Sequence, residues 1–400
     1  MRIRDFVKSG HPRTLLMAFL YFDVSFMVWV LLGVLGVYVA ADFGLTPGQK
    51  GFMVALPILG GTLVRLPMGL LVDRIGAKRT GLIGQAIVLL PLFWGWLAGE
   101  SFSQVLALGL LLGVAGGSFA VALPLASRWY PPEHQGLALG IAGAGNSGTV
   151  LTALFAPRLA EAFGWHATFG LALIPVSLVM LLFALLAKES PQAVAPKSLG
   201  GYLKLFAHPD ALRVCLIYGF TFGGFVGLAS FLVIFFHDQY QLSKVGAGQL
   251  TALCVFAGSF MRPVGGYLAD KFGGFRMLGV VLVLASAFLG VMAFVPPIAL
   301  AVPALFCAMA ALGTGNGSVF QLVSRRFTRD IGAATGVIGA AGGLGGFFLP
   351  NILGYLMGRT GTFGAGFGTL ALAGGAALIL MFTLRASWNR SALESGGVAA

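Results

Sequence analysis

The chain has 400 residues, of which 58% are hydrophobic and only 10% charged, and its mean hydropathy is +0.92. A soluble domain carries about 25% charged residues, so this composition excludes a soluble globular fold and describes a polytopic membrane protein. The net charge of +12 is therefore a matter of membrane topology, and nucleic-acid binding is excluded because no soluble domain exists to carry it.

Apolar stretches of about 20 residues, the length that crosses a bilayer, recur at 15–41, 51–72, 79–98, 103–128, 136–162, 167–187, 211–237, 246–269, 276–295, 299–324, 332–357 and 362–384. They predict an all-α membrane protein with twelve transmembrane helices. The first stretch is too long for a signal-peptide core and should persist as a helix. Between the sixth and seventh stretches, Lys188 to Asp210 breaks the apolar run with Lys-Glu-Ser-Pro and Ala-Pro-Lys-Ser. The break predicts a six-helix bundle over 1–187, a cytoplasmic linker over 188–210, and a second bundle over 211–400 that ends in a short cytoplasmic tail.

With the N-terminus placed inside, the outer helix ends hold only Lys50, Arg158, Lys244 and Arg359 of the 25 lysines and arginines. Apart from Arg65 and Arg262, the rest fall on inner segments, among them Arg74, Lys78, Arg79, Arg128, Lys271, Arg276, Arg325 and Arg326. That bias follows the positive-inside rule and predicts a protein of the cytoplasmic membrane with both termini inside.

Arg65 and Arg262 each sit alone in the middle of an apolar helix, within matching sequences. Arg65-Leu-Pro-Met-Gly69-Leu-Leu-Val-Asp73-Arg-Ile-Gly76-Ala-Lys-Arg79 is followed at a shift of 197 by Arg262-Pro-Val-Gly-Gly266-Tyr-Leu-Ala-Asp270-Lys-Phe-Gly273-Gly-Phe-Arg276. Two further repeats pair Gly136-Leu-Ala-Leu-Gly140-Ile-Ala-Gly143 with Gly332-Ala-Ala-Thr-Gly336-Val-Ile-Gly339, and Gly113-x-x-x-Gly117-Ser118 with Gly313-x-x-x-Gly317-Ser318. Repeated halves with a site between them are a common transporter plan, which makes the two bundles pseudo-symmetric. A guanidinium at the bilayer centre costs about 2.5–3.5 kcal/mol, so it persists where it faces a cavity or a partner. Two such charges in equivalent halves point to one anion held between them.

The 60 glycines fall within helices as well as between them, which in a bilayer permits close helix approach. Gly143-Ala-Gly145-Asn-Ser-Gly148 also fits a dinucleotide fingerprint, but it lies inside a membrane span with no preceding strand, so no cofactor is expected. Cys215, Cys254 and Cys307 read as packing residues; no metal site is expected, since no cluster of cysteine and histidine occurs. No nucleophile elbow, carboxylate pair or histidine cluster supports an enzyme. Asp23 is the one carboxylate well inside a predicted span. It is either a partner of Arg65, a proton-coupling group, or a residue facing an inner vestibule.

The Gly69–Arg79 sequence resembles the signature loop of the major facilitator superfamily, and Gly266–Arg276 is its weaker second copy. Within that superfamily, Ala142-Gly143-Ala-Gly145-Asn146-Ser-Gly148 and Gly339-Ala-Ala-Gly342-Gly343-Leu-Gly345-Gly346 resemble the paired glycine-rich signatures of the nitrate/nitrite porters. The resemblance implies substrate binding by Arg65, Arg262, Asn146, Phe119, Tyr218 and Phe222, with a first-helix aromatic that is either Trp29 or Phe26. It also implies gating roles for Gly143, Gly145, Gly148, Gly339, Gly342 and Gly343, and cytoplasmic locks at Asp73 and Asp270. The expected function is transport of nitrate and nitrite, by exchange or by proton-coupled uptake, in a chain that works as a monomer. A carrier of another small anion, such as formate, oxalate or a small organic acid, is the alternative.

Overall fold

The computed structural model describes residues 3–190, 200, 207–327 and 331–394. Most of the expected linker 188–210, Arg329 and the end of the expected C-terminal tail lie outside the described residues. Among the described residues, twelve helices are long and apolar enough to cross a membrane: α1 Pro12–Phe43, α2 Pro47–Ile75, α3 Ala77–Leu97, α4 Phe102–Ser127, α5 Leu137–Phe163, α6 Trp165–Leu186, α7 Pro209–Tyr240, α8 Lys244–Phe272, α9 Gly274–Met292, α10 Ile298–Arg326, α11 Ala334–Thr360 and α12 Gly364–Asn389. Their limits agree with the apolar stretches to within a few residues. Inside a bilayer the backbone must satisfy its own polar groups, and helices do so within one segment.

Burial separates the helices into roles. The most hydropathic windows of α1 and α7 are 89% and 94% buried, whereas those of α6 and α12 are 33% buried. The first pair therefore lines the centre and the second faces lipid, through side chains such as Leu178, Leu181, Leu185, Leu372 and Ile379.

The two halves meet mainly at the end away from the N-terminus. There Lys50 at the start of α2 pairs with Asp238 at the end of α7 at 2.6 Å, and the Lys244 ammonium of α8 lies 4.2 Å from the Tyr38 ring of α1. Glycine allows the backbones to touch: a Cβ on Gly51 would collide with the Pro350 carbonyl of α11, and one on Gly354 with the Pro47 carbonyl of α2. At the opposite, basic end the first half is tied within itself. Arg128 donates to Asp73 at 2.7 Å, and the Glu189 carboxylate accepts from the Ala77 and Lys78 amides at 3.1 and 2.6 Å, capping the start of α3. An anion there complements the positive end of the helix dipole.

Two helices of the first half tighten where glycines cluster. Gly113–Ser118 in α4 and Ala144–Ser147 in α5 wind as 3₁₀ turns, whereas the corresponding lengths of α10 and α11 remain α-helical. A 3₁₀ turn has three residues per turn rather than 3.6 and often marks a functional hinge.

The glycine contacts give a stability test. A Cβ at Gly313 of α10 would strike the Gly258 carbonyl of α8, while one at Gly358 of α11 would meet nothing. Gly313→Ala should cost about 1–3 kcal/mol through overpacking and lower the melting temperature of the detergent-purified chain. Gly358→Ala should leave it unchanged or raise it, as read by intrinsic fluorescence.

Candidate functional site

Arg65 of α2 and Arg262 of α8 face the same aromatic pair. The Arg65 guanidinium carbon lies 5.6 Å from the Phe119 ring centre and 4.9 Å from that of Phe222; for Arg262 the two distances are 5.3 and 5.9 Å. Phe119 comes from α4 and Phe222 from α7, so four helices from both halves meet at the two guanidiniums. Both arginines are buried, at 2% and 8% exposure. Neither makes an ion pair among the described residues.

The chain fixes each guanidinium differently. Arg65 donates from Nε to the Gly116 carbonyl at 3.1 Å and from Nη1 to the Gly339 carbonyl, so it is held by the 3₁₀ turn of α4 and by α11 of the other half. Arg262 makes one weak contact, from Nη2 to the Tyr218 hydroxyl at 3.5 Å. The other terminal nitrogens, Arg65 Nη2 and Arg262 Nη1, are buried without a hydrogen-bond partner. Buried donors are ordinarily satisfied, so two such charged donors beside the same rings leave hydrogen-bonding capacity for an acceptor.

The aromatic walls extend beyond this pair. Tyr218 and Phe222 stack 5.2 Å apart and nearly parallel, one helical turn from each other on α7. Of the two first-helix candidates, Trp29 is the one beside Arg65, at 5.4 Å; Phe26 packs behind it, edge-on at 4.8 Å. The Trp29 indole is fixed by donation to the Pro57 carbonyl at 2.7 Å. Sequence reasoning missed Phe320 of α10, which lies 5.9 Å from Arg262, 5.9 Å from Phe119 and edge-on to Tyr218 at 5.1 Å. The repeat held a signal, because Gly313-x-x-x-Gly317-Ser318 aligns with Gly113-x-x-x-Gly117-Ser118. It puts Val319 opposite Phe119, with Phe320 one residue further on.

Asn146 is 1% exposed, and neither amide atom of its side chain has a partner. Its carbonyl accepts from Thr149 Oγ1 at 2.6 Å and from Ser259 Oγ at 3.4 Å, and Ser259 stands one turn before Arg262 on α8. Asp23 is buried at 7% exposure. Its carboxylate pairs with no arginine among the described residues and accepts from Ser147 Oγ at 2.6 Å.

The six signature glycines divide by what surrounds them. Gly145 and Gly148 press on α1 at Phe22 and Asp23; Gly342 faces the Tyr218 ring and Gly343 faces Thr62; a Cβ on Gly339 would sit 3.7 Å from both Arg65 and Phe119. Gly143 has open space around it, so packing gives no reason for glycine there. Of the two expected locks, Asp73 pairs with Arg128 across α2 and α4. Asp270 is exposed and has no ion-pair partner among the described residues. In its half the buried carboxylate is instead Asp210 at the start of α7, which binds Arg326 of α10 at 3.0 Å and Arg213 at 3.2 Å.

Comparison with known proteins gives a consistent answer. The family profile described as Major Facilitator Superfamily matches residues 17–350. A "Nitrite extrusion protein" of Bacillus subtilis (strain 168) is 33% identical over 357 residues, covering 89% of this chain and 90% of that protein. A "Probable nitrate/nitrite antiporter NarK1" of Thermus thermophilus is 32% identical over 383 residues, covering 87% and 86%. Among solved structures, the xylose transporter XylE from E. coli in a partially occluded inward-open conformation superposes with a TM-score of 0.72 over 93% of this chain and 97% of that one, at 16% identity. That likeness concerns the fold alone. With relatives matched over nearly their whole length and twelve helices arranged as in that fold, the chain belongs to the major facilitator superfamily, within its nitrate/nitrite porter family.

Proposed function

We propose that this chain is a secondary transporter that moves nitrate and nitrite across the cytoplasmic membrane by alternating access, with both termini in the cytoplasm, a monomer as the working unit and no catalytic step. The observation that carries the reading is the pair of buried arginines sharing Phe119 and Phe222, each with an unpartnered terminal nitrogen. The names of the relatives support the choice of anion.

Nitrate and nitrite are small, planar and monovalent, with charge spread over their oxygens. A guanidinium fork can give such an oxygen pair two parallel hydrogen bonds, which a lysine ammonium matches poorly. Phe119 and Phe222 flank both cations and keep water from competing, and Tyr218 and Asn146 add polar groups at the rim. Without an anion the chamber holds about two positive charges in a low-dielectric interior, and with one anion about a single charge remains. Binding therefore lowers the cost of bringing the halves together, and it couples occupancy to the rocking of one bundle against the other.

The contacts of Lys50 with Asp238 and of Lys244 with Tyr38 support a conformation closed at the outer end. In this scheme the units that rock are 1–187 and 211–400, joined by the linker 188–210. The glycines of α5 and α11 let helices slide at substrate depth, and Asp73 with Arg128 stiffens the inner end of the first bundle. Asp270 would find its partner only in another state of the cycle. Coupling takes one of two forms. Nitrate/nitrite exchange needs no titrating group, while the buried carboxylate of Asp23 supports proton-coupled nitrate uptake.

Two measurements test these assignments. Arg65→Lys and Arg262→Lys should each weaken nitrate binding by tenfold or more (at least about 1.4 kcal/mol) despite the retained charge. Near-normal affinity in a purified, folded variant would reject the bidentate site. Competition by formate or oxalate, with indifference to nitrate, would move the assignment to another anion. In proteoliposomes Asp23→Asn should abolish nitrate accumulation driven by a pH gradient while sparing exchange; unchanged gradient-driven accumulation would remove Asp23 from coupling.

A further inference from the structure

Asp23 and Ser147 form a side-chain contact between α1 and α5 to which the transport scheme above gives no role. Ser147 closes the 3₁₀ turn Ala144–Ser147 of α5 and donates to Asp23 Oδ1 at 2.6 Å. A hydrogen bond of this kind to a carboxylate is about twice as strong as a neutral one. The backbones of α1 and α5 touch beside it: a Cβ on Gly148 would overlap the Asp23 carbonyl, and one on Gly145 would come within 3.0 Å of the Asp23 amide nitrogen. Asn146, the residue before Ser147, is buried with both amide atoms unpartnered. Successive residues of a 3₁₀ turn point about 120° apart, at three residues per turn. A Ser147 hydroxyl committed to α1 therefore sets where Asn146 points.

The same region reaches both arginines. Phe22, adjacent to Asp23, packs 5.9 Å from Phe119, whose ring flanks both guanidiniums. Ser259, one turn from Arg262, donates to the Asn146 carbonyl at 3.4 Å. We propose that Asp23 and Ser147 act as a positioning pair, whose hydrogen bond fixes the 3₁₀ turn against α1 and so aims the Asn146 amide at the anion between Arg65 and Arg262. The inference rests on the reading of the chain as a nitrate carrier and assigns part of its affinity to a seam outside the arginine pair.

Ser147→Ala isolates the contact without removing a carboxylate. With purified full-length chain, nitrate affinity is read by calorimetry, and KM and maximal exchange rate are read in proteoliposomes. Ser147→Ala should weaken affinity and raise KM about tenfold, with the maximal rate within about twofold, and Ser147→Thr, which keeps the hydroxyl, should bind as the wild type does. In an Asn146→Ala background, Ser147→Ala should have no further effect, because coupled residues are not additive. Thr152→Val breaks a second bond on the same seam, from Thr152 Oγ1 to the Met27 carbonyl at 2.6 Å, and should leave affinity unchanged. Wild-type affinity in Ser147→Ala, an undiminished effect in the Asn146→Ala background, or equal weakening by Thr152→Val would each overturn the inference alone. A wild-type chain indifferent to nitrate would overturn the carrier reading, and this inference with it.

Discussion

The architecture depends on two like charges kept close together in an apolar interior without a carboxylate between them. Arg65 and Arg262 share the Phe119 and Phe222 rings, and four of the described carboxylates are engaged elsewhere: Asp23 with Ser147, Asp73 with Arg128, Asp210 with Arg326, Asp238 with Lys50. Removing two cations from water is costly, and without counter-ions the aromatic faces and backbone carbonyls must supply the compensation. An acidic partner in the chamber would make the site self-sufficient and compete with any anion. In the proposed carrier, leaving it out would turn the electrostatic cost of the empty state into affinity for one.

Glycine is the second constraint, because it sets how near the halves can come. Gly51 against Pro350, Gly354 against Pro47 and Gly33 against Ser230 bring backbones of the two halves into direct contact. In a bilayer, helices associate through such close packing rather than through the hydrophobic effect. The glycine signatures of α5 and α11 do unequal work, however. Gly145 and Gly148 seat α1, whereas Gly342 and Gly343 seat α7 and α2.

The pseudo-symmetry is thus broken where the chemistry is. The 3₁₀ turns occur in α4 and α5 and have no counterpart in α10 and α11. Arg65 is held by two carbonyls while Arg262 makes one long bond to Tyr218. One arginine is anchored and the other is more loosely held. A repeated sequence therefore yields a fixed wall and an adjustable one.

Much of this was legible in the sequence because the bilayer imposes a length and a polarity that composition reports directly. Twelve apolar stretches, the arginine pair at a shift of 197 and the basic asymmetry required no knowledge of packing. The sequence also held Asp23 as an anomaly but left its partner open, since a carboxylate at that depth can reach several helices. Only the tertiary structure decided that Asp23 turns to Ser147, that Trp29 rather than Phe26 stands beside Arg65, that Phe320 completes the aromatic wall, and that Asp210 rather than Asp270 pairs with Arg326. Those outcomes depend on how each helix is rotated about its own axis. Rotation is set by side-chain packing between helices distant in sequence, which a nearly uniform apolar pattern does not encode.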